Sequence, residues 1–588
     1  MRERLLTHHF LQRFLENDLV SPDADRHETL AVVCAALISV SLFVTVLLSL
    51  KYLFQPFQSP GRTAVLALDD RFLYIASSMI VMALVAVATW DGLALDARDT
   101  SNLGPLPVPW GVIVRAKLAA VVLFSAGFAV ALNLAPSILH PSLMVAKLPV
   151  GMLDAATLIS VQAVVTMAAG AFGFFSVLGF RELFHAALGR VGFRRTSAVV
   201  QGSLVVCFST MFLLLPGLSS DVMRWWLGPQ ALTPFAIPPL WFLGLHERLA
   251  GGAIDRLPRG ELPAGILEFE NEATVLYRSQ EPLFRDLGTV AIAALGVAML
   301  VVVTAYAWNS RRLPAPDVGP RAGRHRLRSM SAWVVQRLVV RRPVAQAGFF
   351  FTLQSLSRSV PHRMAIMTSI AVGLAGATVS LRGMDVRPAT DMSSMPVALL
   401  AVQTLLVTAL LAGFRQAVRV PADLRATWTF HLSWSGDERA YLVGVKRAAF
   451  VALVLPTLLA LVPLHVLVLG PGVVIAHFVC GLLMALVLVD VLLLGYRKVP
   501  FASGCVQTGN LKSLGPIYVL VFLLGTYGFA STERLALSST RGTVIFLAAV
   551  STLLIIVRAV DRWQRRTPVA IQWDEPAVSS AQRLDLDG

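Results

Sequence analysis

The sequence predicts an all-α integral membrane protein with about twelve transmembrane helices arranged as two six-helix halves. Three observations predict this fold. Hydrophobic residues make up 56% of the 588 residues and charged residues only 14%, whereas a soluble domain carries about 25% charged residues. Apolar runs of roughly 20 residues, the length that crosses a bilayer, recur along the chain. The charged residues lie mostly in the short segments between those runs.

The apolar runs begin at Thr29, behind a leader of mixed charge. This first run is too long for the apolar core of a signal peptide, so it is expected to remain as a membrane anchor. In order, the predicted spans are residues 29–50, 72–90, 118–136, 155–180, 197–216, 287–308, 364–381, 396–414, 448–470, 472–496, 516–530 and 542–557. The last two runs are short, so their ends are the least sharply defined.

Lysine and arginine set the predicted orientation. If the N-terminus is cytoplasmic, the inside segments hold most of the basic residues, including the run from Arg311 to Arg342. Basic loops stay on the cytoplasmic side, so both termini are expected there. The net charge of +15 then follows from topology, and no nucleic-acid partner is expected. None of the four cysteines forms a C-x-x-C pair, so neither a disulfide framework nor a metal site is indicated.

The spans divide into two halves that resemble each other weakly. The first half is 1–308 and the second is 349–566, separated by a basic linker at 309–348 and followed by a tail at 567–588. Each half opens with an amphipathic segment, HFLQRFLENDLV from His9 and FFTLQSLSRSV from Phe350. Each then has two spans and a charged inside loop. Parallel repeats of this kind are a known plan for transporters.

Between the fifth and sixth spans the first half has a long outside segment, 217–286, rich in acidic residues and proline. Its pieces PPLWFLGLHERL and ATVLYRSQEPLFRDLG are typical of short interfacial helices, because Trp and Tyr favour the headgroup level. A passive cap over the bundle is the simpler interpretation of the same segment.

The stretch LDARDTSNLGPLPVPWGVIVRAK, Leu95 to Lys117, leads from the second span into the third. With the amphipathic segment before the first span, six spans per half and the large outside segment, it resembles the first cytoplasmic loop of ABC transporter permeases of the type-2 exporter class. The resemblance covers nearly the whole chain by architecture but only this stretch by motif. The second half departs from it, because HLSWSGDERAYLVGVKR lacks the proline-rich turn.

The resemblance implies a location in the bacterial inner membrane and a soluble ABC ATPase, in two copies, that binds ATP and Mg²⁺ and docks on the inside loops. The implied coupling residues of the first loop are Asp96, Arg98, Asp99, Leu103, Pro105, Leu106, Pro107, Arg115 and Lys117. Those at the matching place in the second half are Asp423, Arg425, Asp437, Arg439, Lys446 and Arg447. The lipid bilayer is the other expected partner.

The residues themselves are compatible with coupling. The prolines fix φ and stiffen the turn, and the charged side chains of the loop can set the register of a soluble partner. An ordinary solvated loop whose prolines begin a helix is the alternative. The chain has no G-x-x-x-x-G-K-[ST] sequence and no catalytic motif. It is therefore expected to be a transport subunit without cofactor or enzymatic activity of its own.

Polar residues inside the spans are candidates for a transport pathway, since they are costly in lipid. The candidates are Asp490, Gln162, Gln201 and His477, with Gln403 and His465 in the same class. Asp490 has two interpretations. It forms a structural ion pair, for which Arg497 is the nearest basic residue in sequence, or it takes part in transport.

Two other functions remain open. An ion-gradient-driven secondary transporter fits twelve spans equally well and requires an essential buried acid. A membrane enzyme or scaffold requires a cluster of outside acidic residues, for which the candidates are Glu247, Asp255, Glu268, Glu270 and Glu272.

Overall fold

The protein is described from a computed structural model, which covers residues 2–15, 60–90, 108–145, 151–227, 234–254, 280–310, 335–382, 396–420, 436–494 and 511–564, together with a few isolated positions. Within these ranges the regular structure is helical, and no strand occurs. In the described part of the chain, ten helices are long and apolar enough to cross a membrane, and each coincides with one predicted span. The prediction of a multi-pass helical membrane protein is thereby confirmed.

The two remaining predicted spans are less fully described. The run at 29–50 falls outside the described residues except for isolated positions. The run at 516–530 lies in a helix from Leu511 to Leu537, whose first part has no described side chains.

The chain divides into two compact units, Met1–Val318 and Gly319–Gly588. Their boundary falls within the basic segment 309–348. The first unit contains α1 (Arg2–Leu15), α2 (Pro60–Ala88), α3 (Trp110–Val145), α4 (Met152–Leu227), α5 (Pro238–Ile254) and α6 (Glu281–Ser310).

Helix α2 lies at the centre of the first unit and packs along α4. Small residues permit this close approach, because a methyl group on Gly173 would collide with the backbone of Met79, and one on Gly170 would meet Ser78. Helix α4 consists of two arms, 152–188 and 190–227, that meet at Gly189. The φ of Gly189 is 61°, a value that glycine adopts readily and that bends the run.

Helix α5 corresponds to the predicted interfacial piece PPLWFLGLHERL of the 217–286 segment. It packs against α2, α4 and α6, and its apolar side chains Leu240, Phe242 and Leu243 are buried. The α5 part of this segment therefore belongs to the hydrophobic core of the unit. The second piece runs into α6, which begins at Glu281, and its earlier residues lie outside the described ranges.

The second unit contains α7 (Pro343–Arg358), α8 (Val360–Leu381), α9 (Val397–Val418), α10 (Glu438–Ala449), α11 (Leu455–Leu469), α12 (Pro471–Leu492), α13 (Leu511–Leu537) and α14 (Thr540–Gln564). Helix α9 is the most buried candidate span of this unit, as α2 is of the first.

A π-helical turn, Phe450–Val454, joins α10 to α11 directly before Pro456. Proline lacks the backbone donor that a regular α-helix uses, and wider local turns accommodate it. Gly470, with φ of 77°, then makes the sharp turn from α11 into α12.

Candidate functional site

In the first unit the amphipathic helix α1 is fixed to the beginning of α3. The ammonium of Lys117 is 4.7 Å from the ring centre of Phe10 and 4.8 Å from that of Phe14. Lys117 is only 2% exposed, so these cation–π contacts form in a desolvated place where they are strong. An exposed ion pair, Arg115 to Glu3 at 3.6 Å, adds a contact between the same two helices. Helix α1 therefore packs on the last two residues of the first predicted coupling set, Arg115 and Lys117, at the beginning of α3.

The second unit repeats this arrangement with different chemistry. Amphipathic helix α7 packs on α10, and the contact depends on glycine. A methyl group on Gly348 would collide with the carbonyl of Tyr441, and one on Gly444 would collide with the carbonyl of Ala345. Arg447 of α10 donates a hydrogen bond to the carbonyl of Val339, just before α7. In both units an amphipathic helix is thus held against the helix that leads out of a charged loop.

The structure describes part of each predicted coupling set. In the first set, the residues outside the described ranges are Asp96, Arg98, Asp99, Pro105, Leu106 and Pro107, while Leu103 is an isolated half-buried position. In the second, Asp423 and Arg425 are outside them. The carboxylate of Asp437 accepts a hydrogen bond from the Ala440 backbone at 3.0 Å and caps α10. Arg439 lies in the first turn of the same helix.

Asp490 belongs to a four-residue charge network that joins α10, α12 and α14. Its carboxylate oxygens lie 2.9 Å from Lys446 Nζ and 3.0 Å from Arg558 Nε. Lys446 Nζ is also 3.3 Å from Asp561. Two cations and two anions balance, which favours the structural pairing interpretation of Asp490. The partners are Lys446 and Arg558, and the sequence neighbour Arg497 is outside the described residues.

A comparable polar contact joins α4 to the end of α6 in the first unit. Asn309 Nδ2, near the end of α6, donates to Glu182 Oε2 at 2.7 Å and to the Glu182 carbonyl at 2.9 Å. Arg181 pairs with Glu182, and its guanidinium lies over the rings of Trp90 and Phe193. In both units, side-chain contacts therefore join the ends of the fourth and sixth predicted spans.

Comparisons of the chain with family models, curated proteins and solved structures find no match.

Two of the predicted pathway residues are glutamines of α4. Gln162 is 1% exposed, and neither its amide oxygen nor its nitrogen has a hydrogen-bond partner among the described atoms. Gln201 donates to the carbonyl of Val87 at 3.0 Å, across to the end of α2. Gln162 and Gln201 lie on different arms of α4, before and after Gly189.

His477, the fourth predicted pathway residue, lies in a buried cluster formed by four helices. Its Nδ1 is 2.8 Å from Glu533 Oε1, and the two side chains are 1% and 0% exposed. The ring of His465 lies edge-on to it, with centroids 4.7 Å apart. Gln403 donates to the His477 carbonyl at 3.0 Å. Sequence reasoning missed Glu533, because the predicted span ended at residue 530 and assigned Glu533 to a loop.

A second buried group, also missed from the sequence, fixes α5 in the first unit. Arg71 donates to both carboxylate oxygens of Glu247, at 2.9 and 3.1 Å, and His246 Nδ1 is 3.0 Å from Glu247 Oε1. Burial lowers the pKa of His246 despite the neighbouring carboxylate. Of the predicted acidic cluster only Glu247 is described; Asp255, Glu268, Glu270 and Glu272 lie outside the described residues.

Within the described ranges, no group of three or more His, Cys, Asp and Glu residues could hold a metal ion. The arrangement is therefore one of buried ion pairs and helix clamps, which position and couple helices. The described polar and charged side chains fall into two kinds of place. One is the contact of the amphipathic helix, α1 in the first unit and α7 in the second, with its neighbouring helix. The other is the pair of buried clusters around Glu247 and His477.

Proposed function

We propose that the chain is the membrane-spanning permease subunit of an ATP-driven ABC exporter, with ATP hydrolysed by a separate soluble subunit. One observation carries the proposal: each predicted coupling segment continues into a helix, α3 or α10, that is clamped by an amphipathic helix. Force applied to such a segment moves two helices as one body, which is what a coupling element requires.

In the second unit, ion pairs connect α10 to helices other than α7, so that a movement of α10 can reach them. Lys446, which belongs to the second predicted coupling set, lies on α10 and connects through Asp490 to α12 and through Asp561 to α14. A displacement of α10 therefore acts on two further helices through a charge-balanced network. Contiguous packed networks of this kind transmit coupling between distant sites.

The proposed substrate is hydrophobic or amphipathic. The ten candidate spans of the described residues contain few ionisable side chains, and two of these, Asp490 and Arg71, are paired with partners of opposite charge. A pathway for a small ion would require charges that are available to the ion.

The test is purification of the tagged protein from its native host in mild detergent, followed by mass spectrometry of the proteins that accompany it. A soluble P-loop ATPase is expected with the natural chain and is expected to be lost when Arg98→Ala is combined with Pro105→Gly and Pro107→Gly. Arg541→Ala is the matched control, because Arg541 is an exposed arginine at the start of α14. Retention of the ATPase by the loop variant, or its absence from the natural chain, refutes the proposal.

A secondary transporter is the second candidate, favoured by the buried His477–Glu533 pair. Such a carrier needs an ionisable group that is enclosed by the helices. In proteoliposomes without ATP, a carrier moves substrate when a pH gradient is imposed, whereas the permease does not.

A further inference from the structure

The segment that leads into α7 carries a row of exposed aromatic and basic side chains. Trp333 is 56% exposed, and Arg337 and Arg341 follow it at intervals of four residues. The guanidinium of Arg337 lies over the Trp333 ring, 5.5 Å from its centre, and Arg341 Nε donates to the Arg337 carbonyl at 3.4 Å. These contacts place the three residues side by side. With Arg342, which is also exposed, they form what is called here the arginine row.

The charge of the arginine row is not balanced by carboxylates. The sequence from Gly319 to Arg363 contains nine arginines and no aspartate, glutamate or lysine. In the described part of the second unit, the acidic side chains that form ion pairs bind Lys446, Arg558 and His477, and none of them reaches the row. The row therefore presents an uncompensated positive charge that fits an anionic partner.

A short chain of contacts connects the row to the level at which candidate spans of this unit end. Val339, which follows Arg337 by two residues, accepts a hydrogen bond from Arg447 of α10. The neighbouring Lys446 pairs with Asp561 near the end of α14, and two residues later Trp563 is 70% exposed. Exposed tryptophan side chains favour the headgroup level of a bilayer. An exposed tryptophan at each end of this chain of contacts therefore indicates that the row lies at that level.

Two properties of the row favour a lipid over a soluble anion. The planar guanidinium of arginine binds a phosphate through two parallel hydrogen bonds, so a row of arginines suits a phosphodiester. The exposed Trp333 ring adds an apolar face, which a soluble anion does not use but the headgroup region of a bilayer accommodates. Basic clusters directly beside a membrane-spanning helix bind anionic lipids for the same electrostatic reason.

We propose that the arginine row binds the phosphate of an anionic phospholipid, with the Trp333 ring at the level of the headgroups. Helix α7 is then held on two sides. Its packing face is fixed to α10 through Gly348 and Gly444, and the segment that leads into it is fixed to the membrane surface. The proposal does not rest on the permease function, because it concerns the chain and the bilayer alone.

The test measures lipid binding to the purified full chain. The delipidated protein in detergent is titrated with phosphatidylglycerol or with phosphatidylcholine of the same acyl chains, and native mass spectrometry counts the lipids that stay bound. The variant is Arg337→Gln combined with Arg341→Gln. The matched control is Arg534→Gln combined with Arg541→Gln, which removes the same charge at the junction of α13 and α14, at the opposite end of α14 from Trp563.

The natural chain is expected to bind phosphatidylglycerol more tightly than phosphatidylcholine. Each basic side chain at an anionic surface contributes about fivefold to binding, so the Arg337 and Arg341 variant is expected to bind phosphatidylglycerol about 25-fold more weakly. The control variant is expected to match the natural chain. If the variant does not fold, the salt concentration is raised from about 0.1 to 0.5 M with the natural chain, and only the binding of phosphatidylglycerol is expected to weaken.

Four outcomes overturn the proposal. The first is equal binding of the two lipids by the natural chain, and the second is unchanged phosphatidylglycerol binding by the folded variant. The third is an equal loss in the control variant, which would show that only net charge matters. The fourth is displacement of the lipid by soluble glycerol phosphate at a similar concentration, which would assign the row to a free phosphate.

A soluble acidic protein is the competing occupant of the row. If the Arg337 and Arg341 variant keeps its phosphatidylglycerol but loses a protein that accompanies the natural chain during purification, the row belongs to that protein and the lipid proposal is wrong.

Discussion

The Arg71–Glu247 pair gives the sharpest test of the physical reasoning, because its two single variants are predicted to differ. The perturbations are Glu247→Gln and Arg71→Met. Both charged side chains are almost fully enclosed, with exposed fractions of 2% for Arg71 and 0% for Glu247. Two hydrogen bonds of 2.9 and 3.1 Å join them. Helix α5 is thus held to α2 by a desolvated, charge-balanced contact.

Removing one partner of such a pair costs about 3–5 kcal/mol of unfolding free energy, since the other charge remains buried and uncompensated. The cost is not symmetric. An arginine does not lose its proton, so Glu247→Gln leaves a fixed buried charge and falls at the upper end of this range. In Arg71→Met, Glu247 can take up a proton and become neutral, so the cost falls at the lower end and decreases as the pH is lowered.

The assay is unfolding of the purified chain in mixed micelles by titration with a denaturing detergent, followed by circular dichroism. Replacing both residues, Arg71→Met with Glu247→Leu, is the control, because an apolar pair of similar volume is often neutral relative to a buried ion pair. A cost below about 1 kcal/mol for Glu247→Gln, or a larger cost for Arg71→Met than for Glu247→Gln, refutes the reasoning.

Three further predictions follow from other contacts. Burial lowers the pKa of His246 from its usual 6.5, so the folded state binds fewer protons than the unfolded chain below pH 6.5. Stability therefore falls on acidification, by at most about 1.4 kcal/mol per pH unit, and His246→Gln flattens a denaturation series across that pH range. Gly444→Ala forces α7 away from α10 and costs about 1–3 kcal/mol. Limited proteolysis measures this loss of stability as faster cleavage of Gly444→Ala than of the natural chain. Gly472→Ala is the control and is expected to be cleaved like the natural chain, since Gly472 has open space around it. Asp490→Asn leaves the partly buried Lys446 and the exposed Arg558 without their shared anion and costs about 1–3 kcal/mol, most of it from Lys446. Thermal unfolding should show a smaller loss for Asp561→Asn, because Asp490 then keeps both cations.

The hydropathy of short sequence windows was sufficient to predict the helical fold class and the ten spans that the described residues contain. The transfer of an apolar run into a bilayer depends on the run itself, so a scan along the sequence finds it without knowing its neighbours. The same holds for α1 and α7, whose amphipathic segments around His9 and Phe350 were visible as patterns within a few turns. The sequence predicted the ends of the spans less accurately than their existence. The extension of α13 past residue 530 depends on packing that brings Glu533 beside His477.

Only the tertiary structure decided which polar groups meet. Glu247 lies 176 residues from Arg71, and Glu533 lies 56 residues from His477. The helices bring Lys446 and Arg558 to Asp490, and Arg497, the basic residue nearest to it in sequence, lies outside the described residues. The physical reason is that a buried charge must find a partner through space, and the helices packed around it set which groups are within reach. The sequence alone determined that this chain forms membrane-length helices; the way those helices pack determined where its charges are held.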